Sequence, residues 1–167
     1  MSDLRSAPPP PLDGAEHLRG EAAWPLVVVY ADFTCPRCAL AHERMRGVRL
    51  RVAFRHFAIA AKHPRAVPLA CATEAAGRQG RFWEFHDALF EAPAHSDDPH
   101  LWAHAQALGL DIERFDRDRR SAEVRERVRE QTRGGMRAGV AVTPTLISGS
   151  TILPGPPDAD WLARLTG

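Results

Sequence analysis

Leu26-Val27-Val28-Val29-Tyr30-Ala31-Asp32-Phe33-Thr34-Cys35-Pro36-Arg37-Cys38 is the stretch that decides the fold. Its opening run is short and β-branched, and it is bounded by Pro25 and Asp32, so it reads as a buried strand. Beyond the cysteines, Ala39 to Met45 is rich in helix formers and meets no Gly or Pro before Gly47. The two thiols therefore fall at a strand-to-helix junction. Cys35 stands at the helix N-terminus, where unpaired backbone N–H groups and the helix dipole stabilise a thiolate. Pro36 suits the first turn, because its missing N–H has no intrahelical partner to lose. Cys38 lies one turn inside, within reach of a mixed disulfide on Cys35. This pattern predicts thiol–disulfide exchange. Half of a structural zinc site is the alternative, but such a site takes four ligands. Cys71, the remaining cysteine, has no partner at metal-ligand spacing, and adding His42 leaves a Cys-Cys-His set incomplete. No metal is expected.

The 167 residues suffice for one compact domain with a proper core, and a net charge of +1 points to neither nucleic acid nor membrane. No apolar run approaches membrane-spanning length. Three cysteines are too few for a disulfide scaffold and fit one functional pair plus a bystander. Met1 to Gly20 holds acids, arginines and Pro8 to Pro11 but no apolar core of a secretory peptide. It reads as a flexible, Pro-rich lead-in (residues 1–20), and a cytoplasmic location is the expectation.

Further along, Val48 to Phe57 alternates Leu50, Val52, Phe54 and His56 with Arg49, Arg51, Ala53 and Arg55, which predicts a second strand with one buried face. From His63 to Gly139 the signals are helical. Phe82, Trp83, Phe85, His86, Leu89 and Phe90 recur at helical spacing, and Asp97 or Asp98, Asp111 and Ser121 open further helices. Thr143 to Leu153 reads as a hairpin turning at Gly149-Ser150, and Asp158 to Leu165 as a closing helix. The order is βαβ, helices, then ββα. It predicts an α/β sheet built from residues 21–62 and 140–167, with a helical insertion at 63–139.

Three motifs sharpen this reading: Asp32 to Cys38, Gly80 to Phe90 with its Phe-Trp-Glu-Phe-His-Asp core, and Gly139 to Thr145. In this order and spacing the chain resembles the DsbA-like disulfide oxidoreductases over about residues 17 to 166. The resemblance implies a thioredoxin-like fold with an inserted helical domain. It implies Cys35 as nucleophile, Cys38 as resolving thiol and Pro144 as a cis-proline beside them, where the preceding backbone can pair with a bound peptide. Pro36, Arg37 and Thr143 would support the site, Arg37 by its charge and Thr143 by its hydroxyl. Many thioredoxin-like proteins carry a buried acid six residues before the nucleophile; here that residue is Val29. The implied partners are protein or peptide thiols and disulfides together with an unidentified recycling partner, with no organic cofactor. Two rival readings remain: a glutathione-dependent transferase or isomerase of the same fold, and a non-enzymatic redox-sensing binding module. Cys71 reads as a small buried hydrophobe, His100 and His104 as solvated, and His86 as a packing histidine; for His42 a surface role competes with tuning of the thiols.

Overall fold

The computed structural model describes residues 8–167. In chain order the elements are β1 (His17–Arg19), β2 (Leu26–Ala31), α1 (Pro36–Met45), β3 (Arg51–His56), α2 (Ala66–Gly77), α3 (Phe82–Glu91), α4 (Asp98–Ala107), α5 (Ile112–Arg119), α6 (Ala122–Arg137), β4 (Thr145–Ser148), β5 (Thr151–Pro154) and α7 (Ala159–Thr166). The strands form one sheet in the order β1-β3-β2-β4-β5. β2 runs parallel to β3, with Val27 opposite Val52 and Val29 opposite Phe54. A parallel pair cannot be closed by a tight turn, so α1 makes the crossover. On its other edge β2 pairs antiparallel with β4.

The alternation along β2 sorts its side chains into two cores. Val27, Val29 and Ala31 join Phe33, Phe54 and residues of α3, whereas Val28 and Tyr30 join Ala53, Phe57, Val140 and Ile147. Phe54 meets Phe82 and His86, and Phe33 meets Phe90, at ring-centroid separations of 5.7, 4.8 and 4.8 Å respectively. These are favourable aromatic distances, and they fasten α3 to the sheet.

The single buried face expected of β3 is corrected by the structure, because Ala53 and Arg55 are buried as well. The N-terminal segment explains this. Arg55 donates to Glu16 Oε1 (2.6 and 3.1 Å), to Tyr30 Oη (2.9 Å) and to the Pro11 carbonyl (3.2 Å), so its guanidinium is paired where it is dry. The lead-in expected to be flexible through Gly20 is accordingly docked in its later part: Pro10 packs on Gly134 of α6, and β1 pairs with β3. Residues 1–7 of that lead-in lie outside the described residues. β3 is also shorter than the sequence pattern indicated.

Buried Glu74 on α2 ties four elements together. It accepts from His17 of β1 (2.8 Å), His56 of β3 (3.0 Å) and Arg127 of α6 (2.8 Å). Burial works against its charge, but the two histidine bonds outweigh it and hold the carboxyl below the usual range. Each of the later helices carries its own start signal. The side chains of Asp97, Asp111, Ser121 and Asp158 accept from the backbone N–H three residues on.

Helix α6 lies against the sheet through Gly135, where an added Cβ would stand 2.8 Å from Phe57 and 2.9 Å from Tyr30. Both rings are core groups with nowhere to retreat. The overpacking cost of about 1–3 kcal/mol should exceed the gain of about 1 kcal/mol from replacing a helical glycine. Gly135→Ala is therefore expected to lower the urea midpoint of unfolding, against the rise that helix propensity alone predicts.

Candidate active site

Where β2 ends, buried Asp32 turns the chain: its Oδ1 accepts from both the backbone N–H and the hydroxyl of Thr34, each at 2.8 Å. The Cys35 N–H donates to the Asp32 carbonyl at 3.1 Å. Cys35 is then the N-cap of α1 in extended conformation, Pro36 follows in the first turn, and no acidic side chain occupies that turn. The Cys35 side chain makes no capping hydrogen bond, and the positive end of the helix is left unneutralised around the thiol.

The two thiols are unlike. Cys35 is half-buried and Cys38 is 2% exposed. A hydrogen bond from the Cys38 side chain is the largest influence on Cys35. Against some burial, that bond, the Thr143 side chain and the N–H groups of Cys38 and Arg37 bring the Cys35 pKa from 9.0 down to about 5. Cys38 moves the other way, because burial and the proximity of Cys35 favour its protonated form. The arrangement keeps one sulfur charged and accessible and the other neutral and covered.

The third wall comes from the segment before β4. The Thr143–Pro144 peptide bond is cis, and Cys35 Sγ lies 3.4 Å from the Thr143 carbonyl oxygen, which accepts from the sulfur only while Cys35 is protonated. Thr145 Oγ1 donates to the Val142 carbonyl (2.7 Å) and Gly155 N–H to the Pro144 carbonyl (2.7 Å), bracing the turn from both sides. Gly155 sits at φ +106°, and a Cβ there would fall 2.5 Å from Arg37 Nη2, so the Arg37 side chain rests on a surface that only glycine provides.

Cys35, Pro36, Arg37, Cys38, Thr143 and Pro144 therefore converge in space, although 108 residues separate Cys35 from Thr143. Arg37 acts on Cys35 through its backbone N–H, while its guanidinium lies over Gly155; the sequence had suggested its charge instead. Val29 is buried. Cys71 belongs to a separate apolar cluster with Val124 and Val128, where burial pushes its thiol up to about 11. His100 is engaged by Asp97 at 2.6 Å. His42 is largely covered rather than a surface residue, and with His86 and Asp87 it forms the group among the described residues able to offer metal ligands. Nothing in the sequence links these positions, because 44 residues of chain separate His42 from His86.

A thiolate at a helix N-terminus, a covered second thiol one turn on and a cis-proline turn facing them, on this sheet order, define a thioredoxin-fold protein of dithiol type. Residues 64–166 match the family described as DSBA-like thioredoxin domain. The chain belongs to that family, the DsbA-like thioredoxin domains. The matched segment starts after the two cysteines, so their arrangement is an observation independent of it. A thioredoxin-like oxidoreductase from Silicibacter pomeroyi superposes with a TM-score of 0.81 at 24% identity, over 92% of this chain and 91% of that one. The α-DsbA1 of Wolbachia pipientis gives 0.78 at 18% identity, over 93% and 92%. Among curated sequences, a Na(+)/H(+) antiporter NhaA 1 of Mycolicibacterium vanbaalenii is 39% identical over 89% of this chain, and an NhaA of Herminiimonas arsenicoxydans 36% identical over 95%. This chain spans about a quarter of the length of these relatives (26% of each). No helix among the described residues is long and apolar enough to cross a membrane.

The lowered Cys35 pKa has a signed consequence for stability. A thiol whose folded value lies below its unfolded value stabilises the reduced protein fully above pH 9.0, progressively less as pH falls, and not at all below about pH 5. Thiolate absorbance at 240 nm of the reduced protein is expected to titrate with a midpoint near pH 5. Cys38→Ala removes the largest cause and should move that midpoint up by at least a pH unit.

Proposed function

We propose that this protein exchanges disulfides with protein or peptide thiols through Cys35 and Cys38. The supporting observation is the contrast between the two sulfurs, one charged and half-exposed at the N-terminus of α1, the other buried and protonated. In the reducing direction, the Cys35 thiolate attacks one sulfur of a substrate disulfide, forming a mixed disulfide and expelling a substrate thiolate. Cys38 then gives up its proton to the departing thiolate and attacks Cys35 Sγ. The substrate's second sulfur leaves, and the enzyme carries the Cys35–Cys38 disulfide; the oxidising direction is the reverse. A recycling partner restores the starting state, and no organic cofactor enters these steps.

Substrate docking is assigned to the cis turn. The Thr143 carbonyl lies within bonding distance of Cys35, and exposed Val142 before the turn and exposed Leu40 of α1 offer apolar contact. The thiol pair also supports dithiol exchange over a glutathione transferase, which typically works from a single nucleophile. The antiporter name describes the relatives as whole proteins, whereas the proposed reaction is the one that the thiols of this quarter support.

The test is reduction of a disulfide-bonded peptide under glutathione control, with the potential of the pair read from the same equilibrium. Cys35→Ala is expected to abolish turnover, and Cys38→Ala to accumulate a mixed disulfide visible by mass. Turnover that survives Cys35→Ala, or a pair that never forms a reversible disulfide, would overturn the reading. A potential near about −270 mV would make the protein a reductant, and one toward about −120 mV an oxidant.

A further inference from the structure

His42 lies four residues beyond Cys38 on the same inward side of α1 and faces a cavity of about 390 Å³ between α1, α3 and the sheet. The His42 side chain is 10% exposed, and its Nε2 has no hydrogen-bond partner among the described residues. Asp87 Oδ1 stands 3.9 Å away, beyond bonding reach. A buried imidazole nitrogen left without a partner is costly, and the groups around it indicate what would satisfy it. His86 packs edge-on at 5.2 Å between ring centroids, and Phe90 stacks beside His42 at 5.4 Å. One donor atom each from His42, His86 and Asp87 lies within 4.8 Å of the other two.

We propose that His42, His86 and Asp87 form a binding site for a single transition-metal dication of the zinc type. Two imidazoles and one carboxylate are the donor set such ions prefer to an all-oxygen cage. Tetrahedral bonds of about 2.0–2.1 Å place the donor atoms about 3.3–3.4 Å apart, so the 3.9 Å His42–Asp87 edge must close a little and the 2.8 Å His86–Asp87 edge must open. Arg19 already grips Asp87, its Nη2 donating to Oδ2 at 2.8 Å and its Nη1 to Oδ1 at 3.0 Å. Those bonds orient the carboxylate as an outer partner orients a metal ligand, and the carboxylate stands between the guanidinium and the ion. The ion must displace the 2.8 Å bond between His86 Nδ1 and Asp87 Oδ1, and it gains the orphaned His42 nitrogen in exchange. The cavity supplies an entry path and room for a water or a small ligand at the fourth position.

Protonation does not stand in the way. Burial lowers His42, and it drives His86 to about 4 against the pull of Asp87. Asp87 is held at about 2, where bonds from His86 and Arg19 outweigh its own burial. At neutral pH the three groups therefore offer two neutral rings and a carboxylate, the state that ligation requires. A bound ion would join α1 to α3 one turn from Cys38, so its affinity and the state of the thiols would be linked reciprocally.

The test uses the Cys35→Ser/Cys38→Ser protein, in which the buried Cys71 is the remaining cysteine, so that the exchanging pair contributes nothing and the outcome is independent of the disulfide reading. Titration with zinc chloride followed by calorimetry is expected to show one ion per chain together with a raised Tm. Cobalt(II) should give visible bands that zinc removes. His42→Ala in the same background, checked for an unchanged circular dichroism spectrum, is expected to weaken zinc binding by roughly 100-fold or more. His100→Ala, which alters the exposed Asp97–His100 pair, should leave it unchanged. Absence of stoichiometric binding, retention of it in His42→Ala, or its loss in His100→Ala would each overturn the proposal.

Discussion

β2 has neither a free edge nor a free face, and the rest of the molecule follows from that. Its parallel neighbour forces a crossover, and the crossover is α1, whose N-terminus must then begin just past the C-terminal end of the strand. Its antiparallel neighbour sets Thr145 opposite Tyr30. Two residues before Thr145, the chain has therefore passed beyond the end of β2 and stands beside the turn that carries Cys35. The meeting of Thr143 with Cys35 is thus a matter of register. A slip of one residue in β4 would exchange Leu146 and Ile147 between the two cores and carry the cis turn away from the thiols.

Polar groups buried against either face of the sheet are tolerated because each charge there has a partner. Arg55 is matched by Glu16 and Tyr30, and Glu74 by His17, His56 and Arg127. Such pairs contribute little net stability, since desolvation offsets much of their attraction. Removing one member is the expensive event. They therefore act as register marks, fixing where β1 and α6 sit on a sheet that apolar packing alone would allow to slide.

This division explains what could be read from the chain. β2, α1 and the helix starts at Asp97, Asp111 and Ser121 were legible because their signals are local: a β-branched run, a proline at the first turn, a side chain three residues ahead of the N–H it caps. The convergence of Cys35, Cys38, Thr143 and Pro144 was legible only through the family resemblance, which implies a cis-proline beside the cysteines. Arg55 was misread for the opposite reason. An arginine alternating with apolar residues looks solvent-facing until its carboxylate is known, and Glu16 lies 39 residues away in a segment that composition alone marks as loose. His42 and His86 stayed separate for the same cause, since each has an adequate local reading and their meeting depends on how α3 packs against α1.

That packing also governs the thiols. Cys38 belongs to the same apolar cluster as Phe54 of the sheet and Phe82, Phe85, Leu89 and Phe90 of α3. Desolvation is the largest influence raising its pKa, so the proton that keeps it neutral depends on helices contributed from far along the chain. Cys35 in turn draws its strongest stabilisation from the Cys38 S–H. Loosening α3 would admit water to Cys38, ease its ionisation and weaken the bond that keeps Cys35 charged. The helix dipole acts on the pair wherever a Cys-x-x-Cys opens a helix. The asymmetry between these two sulfurs is a tertiary property, set where the helical segment and the sheet share one core.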